Sequence, residues 1–175
     1  RMELEIVKEY IALQQMRYDF IIEMNIEDGS YLDQPTVRML FQPLVENAIR
    51  YGLGDDEKIS IQVFEDVARH LAVVTISDSG KGLNQEEIDE INQPFDYDWG
   101  YWKNENRGIG LRYVKAMLES FYDGQTSLFV NSKKGFGTRI TILLPVRKPE
   151  EKKKDKEVTL EENKVGQTDE RIDCR

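Results

Sequence analysis

Two polar residues, Glu46 and Asn47, stand side by side inside the apolar stretch QPLVENAIRYG, Gln42 to Gly52. Leu44, Val45, Ala48 and Ile49 recur there at spacings of three and four, which predicts a helix with one apolar stripe. Polar groups are costly to bury without partners, so the pair must face either a satisfying neighbour or a ligand. Three further segments carry residue types suited to ligand chemistry. Asp78-Ser79-Gly80-Lys81-Gly82 follows an apolar run and sets a carboxylate beside glycines that let a group approach the backbone. Gly108-Ile109-Gly110 precedes a helical pattern, whose free N–H groups and positive dipole end suit an anion. Gly135-Phe136-Gly137-Thr138 joins two strand patterns. Taken singly, each also fits ordinary structure: a satisfied buried amide, a strand-ending turn, a tight turn and a hairpin.

The elements that must position these residues follow from hydrophobic periodicity. Residues 2 to about 19 predict a helix with a wide stripe of Leu4, Val7, Ile11 and Tyr18 beside Ile6, Tyr10 and Leu13. FIIEMNIED changes to the alternation of a strand and ends at the Asp28-Gly29 turn signal. The helix of the opening stretch is expected to start near Pro35-Thr36, with Thr36 as its cap, and to end by Gly52 or Gly54. KISIQVFED and HLAVVTISD read as a hairpin. Residues 84 to 107 form a long polar and aromatic connection holding one short helix at about 85–92, and connections that long often serve as lids. RGIGLRYVKAMLESF opens a further helix, and TSLFVNS with TRITILLP forms a closing hairpin. Strand pairs alternating with helices predict an α+β sandwich, a sheet with helices on one face.

Composition narrows the class. The 175 residues suffice for one domain with a core and a short appendage. A mean hydropathy of −0.58 and the lack of any apolar run of about 18 residues give no membrane span. No signal peptide pattern is visible, and a start at Arg1 without Met suggests a fragment. The single cysteine, Cys174, excludes an internal disulfide and makes a reducing compartment the default. From Val146 onward the charges balance, nine basic against nine acidic, so the whole net −9 lies on Arg1 to Pro145. An acidic body argues against nucleic-acid partners, which need a basic face. The tail from Arg147 is dominated by charge and reads as disordered, its KKKDK run as a solvated stretch.

Four such segments in this order, each at a junction between elements, resemble the ATP-binding superfamily that joins gyrase, heat-shock chaperones, histidine kinases and mismatch-repair ATPases, the Bergerat fold. Within it the chain is similar to the catalytic domain of sensor histidine kinases of the LytS/YesM type. QPLVENAIRYG resembles their N-box, DSGKGL their first glycine box, RGIGLRYV their second and GFGTRITILLP their closing hairpin, over roughly residues 33 to 145. The resemblance implies a two-layer α+β sandwich, a mixed sheet covered by helices on one face, with a flexible ATP lid. Residues 1–28 would be the end of a dimerisation helix and the entry strand, 29–146 the ATP-binding catalytic domain, and 147–175 the charged tail.

ATP and Mg²⁺ are the implied cofactors. Asn47 would give its amide oxygen to Mg²⁺, which needs few protein ligands beside phosphates and water. Asp78 would accept the adenine N6 hydrogen bond, which a carboxylate can do and which guanine's carbonyl cannot match. Gly80 and Gly82 would admit the base and hinge the lid. Gly108, Ile109, Gly110 and Leu111 would bring helix N–H groups to the phosphates, and Thr138 would bind adenine through a water. Arg50 can reach a phosphate. Tyr51, at the nucleotide-binding position that follows, stands where this type usually has a histidine. Glu46 points about 100° away from Asn47 on the helix. It either orients a water or the metal's outer shell, as the catalytic candidate, or holds a neighbouring Arg or Lys at the rim.

The resemblance also separates kinase from hydrolase. Hydrolysing branches carry a glutamate four residues before the metal asparagine, on the same helix face. Here that position is Pro43, which cannot activate water, whereas phosphoryl transfer rests mainly on positioning and charge neutralisation. The expected activity is therefore transfer of the ATP γ-phosphate to a histidine for relay to a response-regulator receiver domain. His70, the only histidine, falls at a hairpin end and reads as a surface turn residue. The acceptor is expected upstream, on a helical domain of the same protein, so this fragment would bind ATP without phosphorylating itself. The full-length protein is implied to be a homodimeric, membrane-anchored bacterial sensor with this domain in the cytoplasm. An ATP-hydrolysing module of the same superfamily and a degenerate interaction domain are the alternatives. The aromatics Phe95, Tyr97, Trp99, Tyr101 and Trp102 either stack on the nucleotide, cover the sheet edge or face a partner.

Overall fold

A computed structural model describes residues 1–53, 57–92 and 109–147. In chain order it has α1 (Met2–Gln15), β1 (Ile21–Ile26), a 3₁₀ turn (Ser30–Asp33), α2 (Phe41–Tyr51), β2 (Lys58–Asp66), β3 (Leu71–Asp78), α3 (Gln85–Asn92), α4 (Ile109–Phe121), β4 (Ser127–Lys133) and β5 (Gly137–Pro145). The strands form one five-stranded sheet in the order β1-β2-β3-β5-β4. β1 and β2 are joined through α2 and therefore run parallel, since only a crossover can return a strand in the same direction. The other neighbours are antiparallel, two of them as simple hairpins. The sheet is thus mixed, and the fold is the α+β sandwich expected.

Alternation decides which face is covered. Ile59, Ile61 and Val63 of β2, Ala72, Val74 and Ile76 of β3, and Ile140, Ile142 and Leu144 of β5 are buried, every second residue along each strand. The register places Ile61 beside Ile76 and Ile76 beside Ile140, so these residues form continuous apolar rows. Leu44, Val45, Ala48 and Ile49 of α2 and Leu111, Val114 and Leu118 of α4 complete the core. Each aliphatic side chain so buried is worth about 1.5–3 kcal/mol. The elements above all belong to one compact unit, Arg1–Pro145. Of the connection expected as a lid (84–107), residues from 93 on lie outside the described residues, as does the tail from 148 on.

Three expectations need correction. α1 ends at Gln15 and not near residue 19, and its buried stripe is narrower than predicted. Leu4, Val7 and Ile11 are buried, whereas Leu13 is 62% exposed and Ile6 38%, because spacings of three and four put only the first set on one line. The third concerns the start of α2. It begins at Phe41 rather than near Pro35-Thr36. Met39 sits in the left-handed region at φ 57, which no α-helix can pass through. Thr36 does not cap the helix; its hydroxyl is hydrogen-bonded to the Tyr122 hydroxyl at 3.0 Å. The cap comes from another element: the Leu40 amide donates to Glu3 Oε2 on α1 at 2.9 Å. Pro43 falls in the first turn of α2, where its missing N–H costs nothing.

Candidate functional site

Asp78 is the last residue of β3, at the end of the sheet's covered face. One cross-strand row runs Ile59, Asp78, Thr138, Ser132 across β2, β3, β5 and β4. The backbone amides of Gly80 and Thr138 both donate to Asp78 Oδ1, each at 3.1 Å. Oδ2 accepts no hydrogen bond among the described residues. Burial pushes the Asp78 carboxyl above its ordinary range, and the two amides pull the other way without cancelling it. A half-buried carboxylate with one oxygen tied and one open is an acceptor waiting for a donor.

The surrounding backbone is in close contact with it. A Cβ on Gly52 would lie 2.4 Å from Asp78 Cγ, and one on Gly80 would lie 2.4 Å from Gly52 Cα. A Cβ on Gly137 would lie 2.0 Å from the Asp78 carbonyl oxygen, and Gly137 takes φ +89. Gly82, at φ +62, is pressed against the Lys133 carbonyl in the same manner. Space therefore requires glycine at all four positions, and at Gly82 and Gly137 the dihedral angle requires it as well.

From this floor an open pocket reaches toward the start of α4. Leu44, Ala48, Ile76 and Ile140 form its apolar walls, and Asp78, Thr138, Asn47, Tyr51 and Lys81 supply polar groups. Asn47 stands one helical turn before Tyr51. A Cβ on Gly110 would come 3.2 Å from Asn47 Nδ2, so the first turn of α4 and the amide are next to one another. The Asn47 side chain makes no hydrogen bond among the described residues. Among them no group of three or more His, Cys, Asp or Glu gathers to hold a metal. The Asn47 amide nevertheless fits a Mg²⁺ whose other ligands are phosphate oxygens and water.

The sequence-predicted residues thus divide. Asn47, Tyr51, Asp78, Gly82, Leu111 and Thr138 line the pocket. Gly80 is buried behind its floor, and Gly110 abuts Asn47. Ile109 opens α4, while Gly108 lies outside the described residues. Glu46 and Arg50 are exposed and do not line the pocket. The Glu46 carboxylate is close enough to α1 to add to the upward push that burial gives the Tyr10 phenol. Arg50 stacks on the Tyr51 ring, 5.8 Å from its centroid, and Lys81 Nζ lies 5.1 Å from the same centroid. His70 ends the β2–β3 turn at φ 54 and is exposed.

Four contributors escaped sequence reasoning: Gly52, Lys81, Ser132 and Gly137. Gly137 lies inside Gly135-Phe136-Gly137-Thr138, whose sequence signals only a hairpin turn. Ser132 was legible only through register, since closing the hairpin at Lys133 and Gly137 puts Ser132 opposite Thr138.

Residues 32–148 match the family described as Histidine kinase-, DNA gyrase B-, and HSP90-like ATPase. The chain belongs to this family, and its fold is that of a histidine-kinase-type ATP-binding catalytic domain. It is 30% identical over 145 residues to the Sensor protein kinase HptS of Staphylococcus aureus (strain bovine RF122 / ET3-1), covering 82% of this chain and 27% of that protein. The chain therefore spans about a quarter of the length of the curated relatives it matches. Among solved structures, the catalytic domain of histidine kinase ThkA superposes with a TM-score of 0.60 at 16% identity, over 83% of this chain and 91% of that one. The mycobacterial sensor histidine kinase MprB superposes at 0.54 with 20% identity, over 83% and 95%. At such identities the superpositions speak for the fold alone.

Proposed function

We propose that this chain is the catalytic domain of a sensor histidine kinase of the LytS/YesM type. It binds ATP and donates the γ-phosphoryl group to a histidine on a helical domain of the same protein, for relay to a response-regulator receiver domain. The observation that carries this reading is the Asp78 carboxylate, fixed through Oδ1 by two amides and open at Oδ2 on the floor of an apolar pocket. An apolar pocket with an open carboxylate oxygen on its floor suits the 6-amino edge of adenine and opposes a 6-oxo purine.

Each remaining role follows the pocket outward. Thr138 contacts the base edge beside Asp78, and the Tyr51 ring lies along the path toward the phosphates. The first turn of α4, from Ile109 and Gly110 to Leu111, presents free N–H groups at the phosphate end. Asn47 holds Mg²⁺ there, and the ion neutralises charge on the phosphates when bound. Arg50 reaches a phosphate from the rim once the nucleotide is seated. Glu46, on the α1 side of α2, is better suited to holding the preceding helix than to the reaction. Pro43, four residues before Asn47, offers no base to activate water, which supports transfer over hydrolysis. Residues 29–146 are the ATP-binding domain and 1–28 the end of a dimerisation helix and entry strand of a homodimeric, membrane-anchored sensor, with this part in the cytoplasm. Among the described residues no helix is long and apolar enough to cross a membrane.

Calorimetric titration with ATP plus Mg²⁺, beside Asp78→Ala and Asn47→Ala, tests the reading. Binding by the wild-type chain, lost in Asp78→Ala and made insensitive to Mg²⁺ in Asn47→Ala, is expected. Failure of the folded wild-type chain to bind ATP would overturn it.

A further inference from the structure

We infer that Ser132 is a positioning residue that sets which way the Thr138 hydroxyl points its proton, and thereby sharpens discrimination between 6-amino and 6-oxo purines. The inference rests on the adenine-nucleotide reading of the same pocket. Ser132 Oγ has three partners at hydrogen-bond distance. The Leu83 amide lies 2.8 Å away, the Gly137 carbonyl oxygen 2.8 Å and the Thr138 hydroxyl 2.9 Å. A hydroxyl has one proton and two lone pairs. The Leu83 amide can only donate and the Gly137 carbonyl can only accept. One lone pair of Ser132 is therefore taken by Leu83, and its proton goes to Gly137.

Only a lone pair remains for Thr138, so Thr138 must donate to Ser132. The alternative, Ser132 donating to Thr138, would set a Ser132 lone pair against the Gly137 carbonyl oxygen at 2.8 Å. With its proton committed, Thr138 Oγ1 presents only lone pairs to the pocket it lines. Asp78 Oδ2, next to it in the same cross-strand row, also only accepts. The floor is thus an all-acceptor surface. It receives the amino group of adenine, directly or through a water that donates, and opposes the carbonyl of hypoxanthine or guanine.

The same three bonds tie together segments far apart in the chain. Leu83 begins the connection after Gly82 and lines the pocket, and Ser132 fixes it to the β4–β5 hairpin near the tip, where the Gly135 amide also donates to the Lys81 carbonyl at 2.7 Å. A purely structural role for Ser132 would end there, and its loss would weaken all nucleotides alike. The proton argument predicts something different. Without Ser132 the Thr138 hydroxyl is free to rotate and donate to a 6-oxo group, so a 6-oxo nucleotide gains relative to ATP.

The test is calorimetric titration of the 175-residue chain with ATP and with inosine triphosphate, each with Mg²⁺. Wild type is expected to prefer ATP. Ser132→Ala should shrink the ATP-to-inosine-triphosphate affinity ratio by roughly threefold to tenfold, the worth of one hydrogen bond. Ser132→Thr, which restores the hydroxyl, should return the ratio to wild type. In a Thr138→Val background Ser132→Ala should leave the ratio unchanged, because no proton remains to be directed. Should Ser132→Ala not fold, Ser132→Cys keeps the bulk with only a weak S–H donor and must move the ratio the same way. An unchanged ratio in folded Ser132→Ala or Ser132→Cys, whatever the absolute affinities, overturns the inference while leaving the ATP site intact. A wild-type chain that binds neither nucleotide, or both equally, would instead sink the reading on which it rests.

Discussion

Gly52 gives the sharpest test of the geometry. Its backbone, at φ −104 and ψ 0, is open to any L residue, so Gly52→Ala introduces no dihedral strain. The whole effect comes from the new methyl, which would lie 2.4 Å from Asp78 Cγ, 2.5 Å from Asp78 Cβ and 2.6 Å from the Ala48 carbonyl oxygen. Non-bonded carbons rest at about 3.5 Å or more, so Asp78 must withdraw by about 1 Å. The two amide bonds to Oδ1, now 3.1 Å, would then stretch to about 4 Å and cease to be hydrogen bonds. Overpacking of this kind costs about 1–3 kcal/mol, which lowers Tm by roughly 3–12 °C in a domain of this size. A displaced Asp78 also forfeits its hydrogen bond to the ligand's amine, worth about 1.5–3 kcal/mol for a charged acceptor. That is roughly a 10- to 150-fold loss of ATP affinity. Thermal melts and calorimetric titration read the two quantities on the same sample. Gly52→Ala with wild-type Tm and wild-type affinity would refute the claim that Gly52 and Asp78 are in contact.

Three further outcomes are expected. Because burial raises the Asp78 carboxyl in the folded chain, stability without ligand is lost as pH rises from the ordinary value of 3.8 through the folded one. Asp78→Asn should therefore melt above wild type at neutral pH, with the gap closing in acid, while binding ATP more weakly; a gap that does not depend on pH would contradict the shift. Gly82→Ala and Gly124→Ala form a matched pair, both at positive φ, +62 and +72. Gly124 has nothing within 4 Å and should lose only the left-handed strain of about 1–2 kcal/mol, whereas Gly82, against the Lys133 carbonyl, should lose roughly twice as much or more in denaturant unfolding. Glu3→Ala removes the acceptor at the start of α2 and should cost about 1 kcal/mol, the usual worth of a cap. Glu3→Gln keeps an acceptor oxygen and should lose markedly less in the same melts.

The core of the site was legible because its motifs are local. Asp78, Gly80 and Gly82 follow an apolar strand, and Asn47 interrupts an apolar helical stripe, so type and position were readable together. What depended on contacts between distant segments was not. The start of α2 is set by the φ 57 of Met39 and by a carboxylate 37 residues earlier, neither of which periodicity can reveal. Gly52 reads as a helix terminator, and its contact with Asp78 follows only from the packing of α2 on β3. The width of the α1 stripe was overestimated because Ile6 and Leu13 are apolar yet face outward. Glu46 and Asn47 are adjacent in sequence, and the expected angle of about 100° between them holds: Asn47 lines the pocket, whereas Glu46 lies on the side toward α1.

The Glu3–Leu40 bond also ties two helices end to side. α2 borrows its first acceptor from α1, so the two helices share a joint and not merely a surface. Asn47 sits two turns beyond that joint, about 10 Å along the axis. Any sliding or rotation of α1 must either carry the first turn of α2 with it or uncover the Leu40 amide. The joint is only as strong as a cap, about 1 kcal/mol, so a displacement of α1 large enough to break it would leave the Leu40 amide without this acceptor.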